Sequence, residues 1–406
     1  MKKTILVACF IFFNVFAVIK SLPYNAEVIE YDSLHIRGDC DRTVVNVYNE
    51  ALKKSRRPFM SVASHFLYMK KNPGLFVFIV EMFLRAGVSS IFAMRMFFLL
   101  CFNVGVMFLI RWIDIVFKDD ILTVSGLVFM CTTPVFLHYS SVMHQWPLDM
   151  LFFNMTLFFH VSYHVKRKNT YLYAAVVSFL FLCQSYYMYY AALPLAASGI
   201  VYVYEGRFLN KSVVLLCVVP VVSVLLLAAQ ISALHGGLFV MADFLLARMF
   251  DIRLEGSAWG AHESYLNMKT LLFTYPTALN LRMEYFYHFN GFFMIVLFAL
   301  GNLYQKNGRV RIFLLMLFIA GASWNLFMIQ HSRIHVFSVT YGYYAAMVII
   351  GTVASAIHRS INLHEDSARL RTLYRTAIIT GALLFCLNNG IQYDYLNPGF
   401  YLSHMR

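Results

Sequence analysis

The residues best suited to chemistry fall early, in a mostly polar stretch at 21–88 that separates two apolar runs. It opens with the carboxylates Glu27, Glu30, Asp32, Asp39 and Asp41 and continues with the cations Lys53, Lys54, Arg56, Arg57, Lys70 and Lys71. A carboxylate facing an incoming hydroxyl or amine removes its proton as that group attacks. Cations nearby hold a phosphate and offset the charge growing on a leaving group. Those two parts are what it takes to move a group off a phosphate-linked carrier. The same polarity suits a plain solvated loop, and composition alone does not separate the two. Asp39 and Asp41 share a face only where the chain is extended. From Thr43 onward the spacing of Val44, Val47, Tyr48 and Ala51 predicts a helix. Asp41 stands at its start, where a carboxylate also caps free amides.

Further candidates lie later. Asp149 follows Pro147 at the head of an apolar run, and capping is its plain reading. His331, Arg333 and His335 crowd one short connection. An arginine there suits bidentate contact with phosphate or anchoring to lipid headgroups. His65, Lys70 and Lys71 extend the same cationic set. His160 and His164 stand one helical turn apart, too few for a metal site. The tyrosines at 186, 187, 189 and 190 read as an interfacial aromatic belt. A second polar stretch, 234–287, holds Trp259, whose ring suits a sugar face. A divalent cation needs at least three oxygen ligands, and only two or three acids are placed to converge. A site without cofactor is therefore the favoured expectation, with a divalent cation as the alternative.

These groups need a scaffold, and composition names it. The chain has 406 residues, 60% hydrophobic and 13% charged. A soluble protein carries about twice that share of charge. Apolar runs of about 20 residues match the thickness of a bilayer, and without period-2 alternation the spans must be helices. Runs are readable at 5–19, 89–111, 121–138, 147–165, 171–187, 189–204, 213–233, 288–304, 311–330, 337–357 and 374–389. The expected fold is an all-α polytopic membrane protein of about eleven transmembrane helices in a single membrane domain, 1–406. The first run is short and also fits a signal sequence; retention as a first helix is expected. The segment 358–375 reads as a short interfacial helix.

Charge sets the orientation. Lys2, Lys3, Arg111, Lys118, Lys166, Arg167, Lys168, Arg207, Lys211, Lys306, Arg309, Arg311, Arg359, Arg369, Arg371 and Arg375 fall on one side of this topology, against Arg333 in the short connections of the other. The positive-inside rule then puts the amino terminus in the cytoplasm, with 21–88 and 234–287 as the two large outer loops. The net charge of +13 is explained by topology. No basic block with interleaved aromatics marks a nucleic-acid partner. Six of the seven cysteines lie in apolar runs, without a CxxC, so no structural disulfide is expected.

The order of motifs resembles the GT-C-fold glycosyltransferases, the lineage of protein O-mannosyltransferases and aminoarabinose lipid A transferases. Asp41-Arg42 followed by a helix ending Tyr48-Asn49-Glu50-Ala51-Leu52 is similar to that family's first outer loop. Asn72-Pro73-Gly74-Leu75-Phe76, Leu84-Arg85-Ala86-Gly87-Val88-Ser89 and Phe92-Ala93-Met94-Arg95 match the steps that follow. The run 133–140, the connection 144–149 and Gln330-His331-Ser332-Arg333-Ile334-His335 continue the likeness, which covers about half the chain. It departs where relatives have two adjacent acids and two prolines. It implies a GT-C-like membrane enzyme with a helical first outer loop. That enzyme transfers a sugar from a polyprenyl-phosphate donor to an unidentified acceptor on the outer face, with inversion. It further implies Asp41 or Asp39 as base, Arg333, Lys71, Lys70, His331 and His335 around the donor phosphate, and Asp149 and His65 near the acceptor. The start Met1-Lys2-Lys3-Thr4 is bacterial in style, which suits an inner membrane. The competing classes are a lipid-linked-sugar transporter or flippase, an O-antigen polymerase or ligase, and a non-catalytic scaffold. The near absence of ionisable groups at span centres and of internal repeats disfavours transport.

Overall fold

An apolar run that leaves water must satisfy its own backbone amides, and each run that falls among the described residues does so as a helix. The computed structural model describes residues 2–21, 51–53, 55–56, 75–133, 136, 140, 143, 145–185, 189–235, 291–327 and 342–364. Within them the chain is all-helical. The helices are α1 (Lys2–Ser21), α2 (Leu75–Arg85), α3 (Ile91–Phe117), α4 (Asp120–Thr132), α5 (Trp146–Lys166), α6 (Asn169–Ser185), α7 (Ala192–Glu205), α8 (Lys211–His235), α9 (Gly291–Tyr304), α10 (Gly308–Phe327) and α11 (Tyr343–His364). The helix expected through Tyr48 is described only at 51–53, where Ala51 is buried. The run at 374–389 lies outside the described residues, as does most of the loop at 234–287.

Several boundaries differ from the sequence expectation, each for a local reason. The α3 helix does not stop at Arg111 but continues to Phe117, because Trp112, Ile113 and Val116 still face the core. It ends at Lys118, in a left-handed conformation (φ 51°). The α4 helix ends at Thr132 rather than running to 138. Thr133 is extended (ψ 141°), as the residue before a proline prefers. Residues 358–364 continue α11 instead of opening a separate interfacial helix. Tyr189 is not in an outer belt: it is buried against Phe153, ring centroids 5.0 Å apart.

Small residues and a few amides draw the bundle together. Gly105 lets α3 lie against the backbone of α5, where an added Cβ would stand 2.8 Å from the Leu151 nitrogen. Asn14 of α1 and Asn103 of α3 exchange side-chain hydrogen bonds of 3.3 and 2.6 Å. Asn154 of α5 accepts from the Trp112 indole (3.1 Å) and donates to the Tyr343 hydroxyl (2.8 Å) and the Met150 carbonyl (2.7 Å). It thereby ties α3, α5 and α11 with every polar atom used.

Contacts also show which helix ends share a side. Phe117 at the end of α3 meets Phe313 near the start of α10 (5.7 Å). Arg309 donates to the Val203 carbonyl near the end of α7 (3.3 Å). Glu205 receives Arg167 from the α5–α6 turn (3.0 Å). Asp119, between α3 and α4, accepts from Ser355 and lies 3.9 Å from Arg359 on α11. Lys118, Lys166, Arg167, Lys168, Arg207, Lys211, Arg309, Arg311 and Arg359 therefore gather at one end of the bundle, the asymmetry that the sequence count anticipates.

Asp119 is the hub on the α4 side of that end. Its Oδ1 accepts from the Ile121 and Leu122 amides, both at 3.1 Å, which caps α4. Asp119→Ala removes the cap and the Ser355 bond together. Partial exposure lets water replace some of this, so the expected cost is about 1–2 kcal/mol. A lowered midpoint on thermal unfolding in detergent is the check.

Among the described residues two helices are long and apolar enough to cross a membrane, Ile91–Phe117 and Lys211–Ala229 within α8. Thr4–Ile19, Asp120–Cys131, Ala192–Glu205 and Met294–Tyr304 are apolar but shorter.

Candidate functional site

Of the residues singled out for chemistry, the described part of the fold contains Asp149. Asp39, Asp41, His65, Lys70, Lys71, His331, Arg333 and His335 lie outside the described residues. The α5 helix that carries Asp149 starts at Trp146, with Pro147 in the first turn. There a proline costs no hydrogen bond, and its fixed φ suits helix entry.

Asp149 does not cap. Its backbone amide is satisfied by the Gln145 carbonyl at 2.9 Å, as in any helix. Its carboxylate is fully buried, and among the described residues neither oxygen accepts a hydrogen bond of acceptable geometry. The buried Ser185 hydroxyl at the end of α6 lies beside it, and Cys183 is near enough to feel its charge. The helix amino terminus helps an anion by only about 1 kcal/mol. Leaving a buried carboxyl without partners costs more than that. One turn further along α5, Asn154 is completely satisfied, so the same helix holds a structural polar group and an unspent one.

Around this end of α5 the rings assemble into a cluster. Trp146 contacts Phe102 (5.6 Å), Phe136 (5.5 Å) and Tyr343 (5.7 Å), and Phe153 stacks on Tyr344 at 4.5 Å. Such faces provide rigid apolar walls with polar rims. Near the start of α3, Arg95 is buried, and on α2 the Glu81 carboxylate pairs with Arg85 at 2.7 Å.

The opposite end holds a polar cluster that sequence reading left unassembled. His160 lies 2.9 Å from the Ser212 hydroxyl through Nε2, and the Nε2 atoms of His160 and His164 are 3.3 Å apart. His164 Nδ1 reaches Glu205 at 3.1 Å. Glu205, just past the apolar run of α7, also takes Arg167 (3.0 Å), Arg207 (2.8 Å) and Asn210 (3.2 Å). Desolvation raises the Glu205 acid, but hydrogen bonds from Arg207, Arg167 and Asn210 outweigh it and hold it down, at about 2. The turn spacing of the two histidines was visible in the sequence. Their partner on another helix was not.

Among the described residues no group of three or more His, Cys, Asp and Glu side chains converges as a metal site. The described cysteines Cys9, Cys101, Cys131, Cys183 and Cys217 form no disulfide. No protein-family model matches this chain, and no curated protein matches it.

Proposed function

We propose that this chain is a multi-pass membrane glycosyltransferase that moves a sugar from a polyprenyl-phosphate donor to an acceptor at the outer face. The carrying observation is Asp149, an acid singled out in the sequence, which is fully buried at the head of α5 and, among the described residues, accepts no hydrogen bond of acceptable geometry. A group kept at such expense is more readily explained by what it does than by what it holds together. Two further observations support the membrane setting. Val7, Ile11, Val15 and Ile19 on α1, and Val214, Val218, Val221, Leu225 and Leu226 on α8, are exposed apolar stripes that water would not tolerate at this extent. The loop cations Lys118, Lys166, Arg167, Lys168, Arg207 and Lys211 gather at the other end of the bundle from Asp149.

In this reading the spans form a GT-C-like scaffold of about eleven, with the amino terminus in the cytoplasm of a bacterial inner membrane. Asp41 or Asp39 takes the proton of the acceptor. The acceptor atom bonds to the anomeric carbon as the bond from that carbon to the phosphate oxygen breaks. Polyprenyl phosphate leaves with the electron pair, and a single displacement inverts the centre. Arg333, Lys71, Lys70, His331 and His335 balance the phosphate charge; Asp149 and His65 hold the acceptor.

The test is to supply the purified protein in bilayers with a panel of polyprenyl-phosphate sugars and follow release of polyprenyl phosphate. Release that depends on an added acceptor supports transfer. Movement of the intact donor between leaflets, with the sugar still attached, would replace the proposal with a transporter.

A further inference from the structure

One choice of residue stands out at the cationic end of the bundle. Helices α5 and α7 both end in a left-handed residue, at Arg167 (φ 56°) and Gly206 (φ 72°). Glycine adopts that conformation without penalty, whereas a residue with a Cβ pays about 1 kcal/mol. At Arg167, as at Lys118, the chain carries a long cation where glycine would be easier, and what sets Arg167 apart is that its guanidinium is fixed on Glu205.

Glu205 shows how that guanidinium is held. Its carboxylate, largely covered, takes Arg167 on one oxygen at 3.0 Å and Arg207 on the other at 2.8 Å. Two guanidiniums on one carboxylate leave a net positive charge. Their side chains are also 60% and 66% exposed, with spare N–H groups toward the surroundings. Lys168 and Lys211 flank them, also exposed. Beside them Phe208 and Leu209 at the α7–α8 turn, and Val165 at the end of α5, expose apolar side chains. Fixed cations next to exposed apolar tips match the boundary between headgroup and acyl chain.

We infer that Arg167 and Arg207, aligned by Glu205, form a binding site for the phosphate of an anionic phospholipid in the inner leaflet. The phosphate sits between the two guanidiniums while Phe208, Leu209 and Val165 meet its acyl chains. The site rests on the membrane reading but not on sugar transfer. Since Glu205 also contacts His164 on α5 and Asn210 at the start of α8, an occupied site braces α5, α7 and α8 against one another.

The experiment uses the full chain, purified in detergent, titrated with phosphatidylglycerol or phosphatidylcholine and read by native mass spectrometry. The wild type is expected to retain phosphatidylglycerol in preference to phosphatidylcholine. Arg167→Gly, which suits the left-handed backbone and so keeps the fold, and Arg207→Gln are each expected to weaken retention about fivefold. The double variant should fall about 25-fold, and Lys306→Gln, an exposed cation at the same end, should change it less than about twofold. Retention by the double variant equal to wild type overturns the site. So does equal retention of phosphatidylcholine, or displacement of the lipid by millimolar inorganic phosphate, which marks a free-phosphate site instead. A chain that stays monodisperse without detergent sinks the membrane reading itself, an outcome distinct from these.

Discussion

Asp149→Asn is expected to lower sugar transfer about 10²–10³-fold while leaving the thermal midpoint unchanged or raised. The two halves of that result come from one observation. The carboxylate is buried and, among the described residues, neither oxygen accepts a hydrogen bond of acceptable geometry, so in the resting fold it is a cost. An amide of the same shape removes the buried acid without opening a cavity, which predicts no loss of stability. What it removes is the carboxyl that holds the incoming hydroxyl or amine in place for the base, and that predicts loss of rate. A structural acid behaves the other way: Asn would lower stability, and activity would fall only with the folded fraction. Asp41→Asn and Asp39→Asn belong in the same assay. One of the pair should lose activity to at least the same degree, and the other should stay within about tenfold. Full transfer by both, or by Asp149→Asn at wild-type stability, would remove these acids from the reaction.

Much of the scaffold was readable in the residues because lipid-like burial leaves a plain trace: a run of apolar residues long enough to make a helix. The ends of those helices were harder. Arg111 looked like a boundary because it is charged, yet a long side chain can lie on the surface of a helix whose other face, through Trp112 and Val116, is still buried. The stop at Thr132 was encoded in Pro134, a signal that the apolar count overrode. Tyr189 looked interfacial by type, but burial depends on the fold of the α6–α7 turn onto Phe153, which neighbouring residues do not reveal. The same reason separates the two polar sites. Asp149 could be marked from its place at the head of a span, though not its lack of partners. The Glu205 hub joins residues 160, 164, 167, 205, 207, 210 and 212 from three helices, and only packing brings them together.

The largest effect on stability is expected at Gly351, where α11 crosses α4. A Cβ at that position would stand 2.4 Å from the Leu122 carbonyl oxygen and 3.1 Å from its carbon. The obstacle is backbone, so no side-chain rotation relieves it, and the two helices must separate. Separation also pulls apart the neighbouring contact, where Gly126 of α4 lies under Met347, with room for a Cβ only at 2.8 Å from that side chain. Overpacking of this kind costs about 1–3 kcal/mol where a core can yield. A backbone clash shared along a helix crossing is expected to exceed about 3 kcal/mol, because closely packed interiors do not yield gradually. Gly351→Ala should therefore abolish most of the folded protein recovered in detergent. The contrast is Gly301→Ala on α9. Its added Cβ meets only Thr352 and Val353 side chains, at 3.4 and 3.5 Å. There alanine gains up to about 1 kcal/mol of helix propensity over glycine, and the midpoint should hold or rise. Equal recovery of the two variants would mean that α4 and α11 do not cross at Gly351, and the Asp119–Ser355 contact at the same helix pair would lose its basis with it.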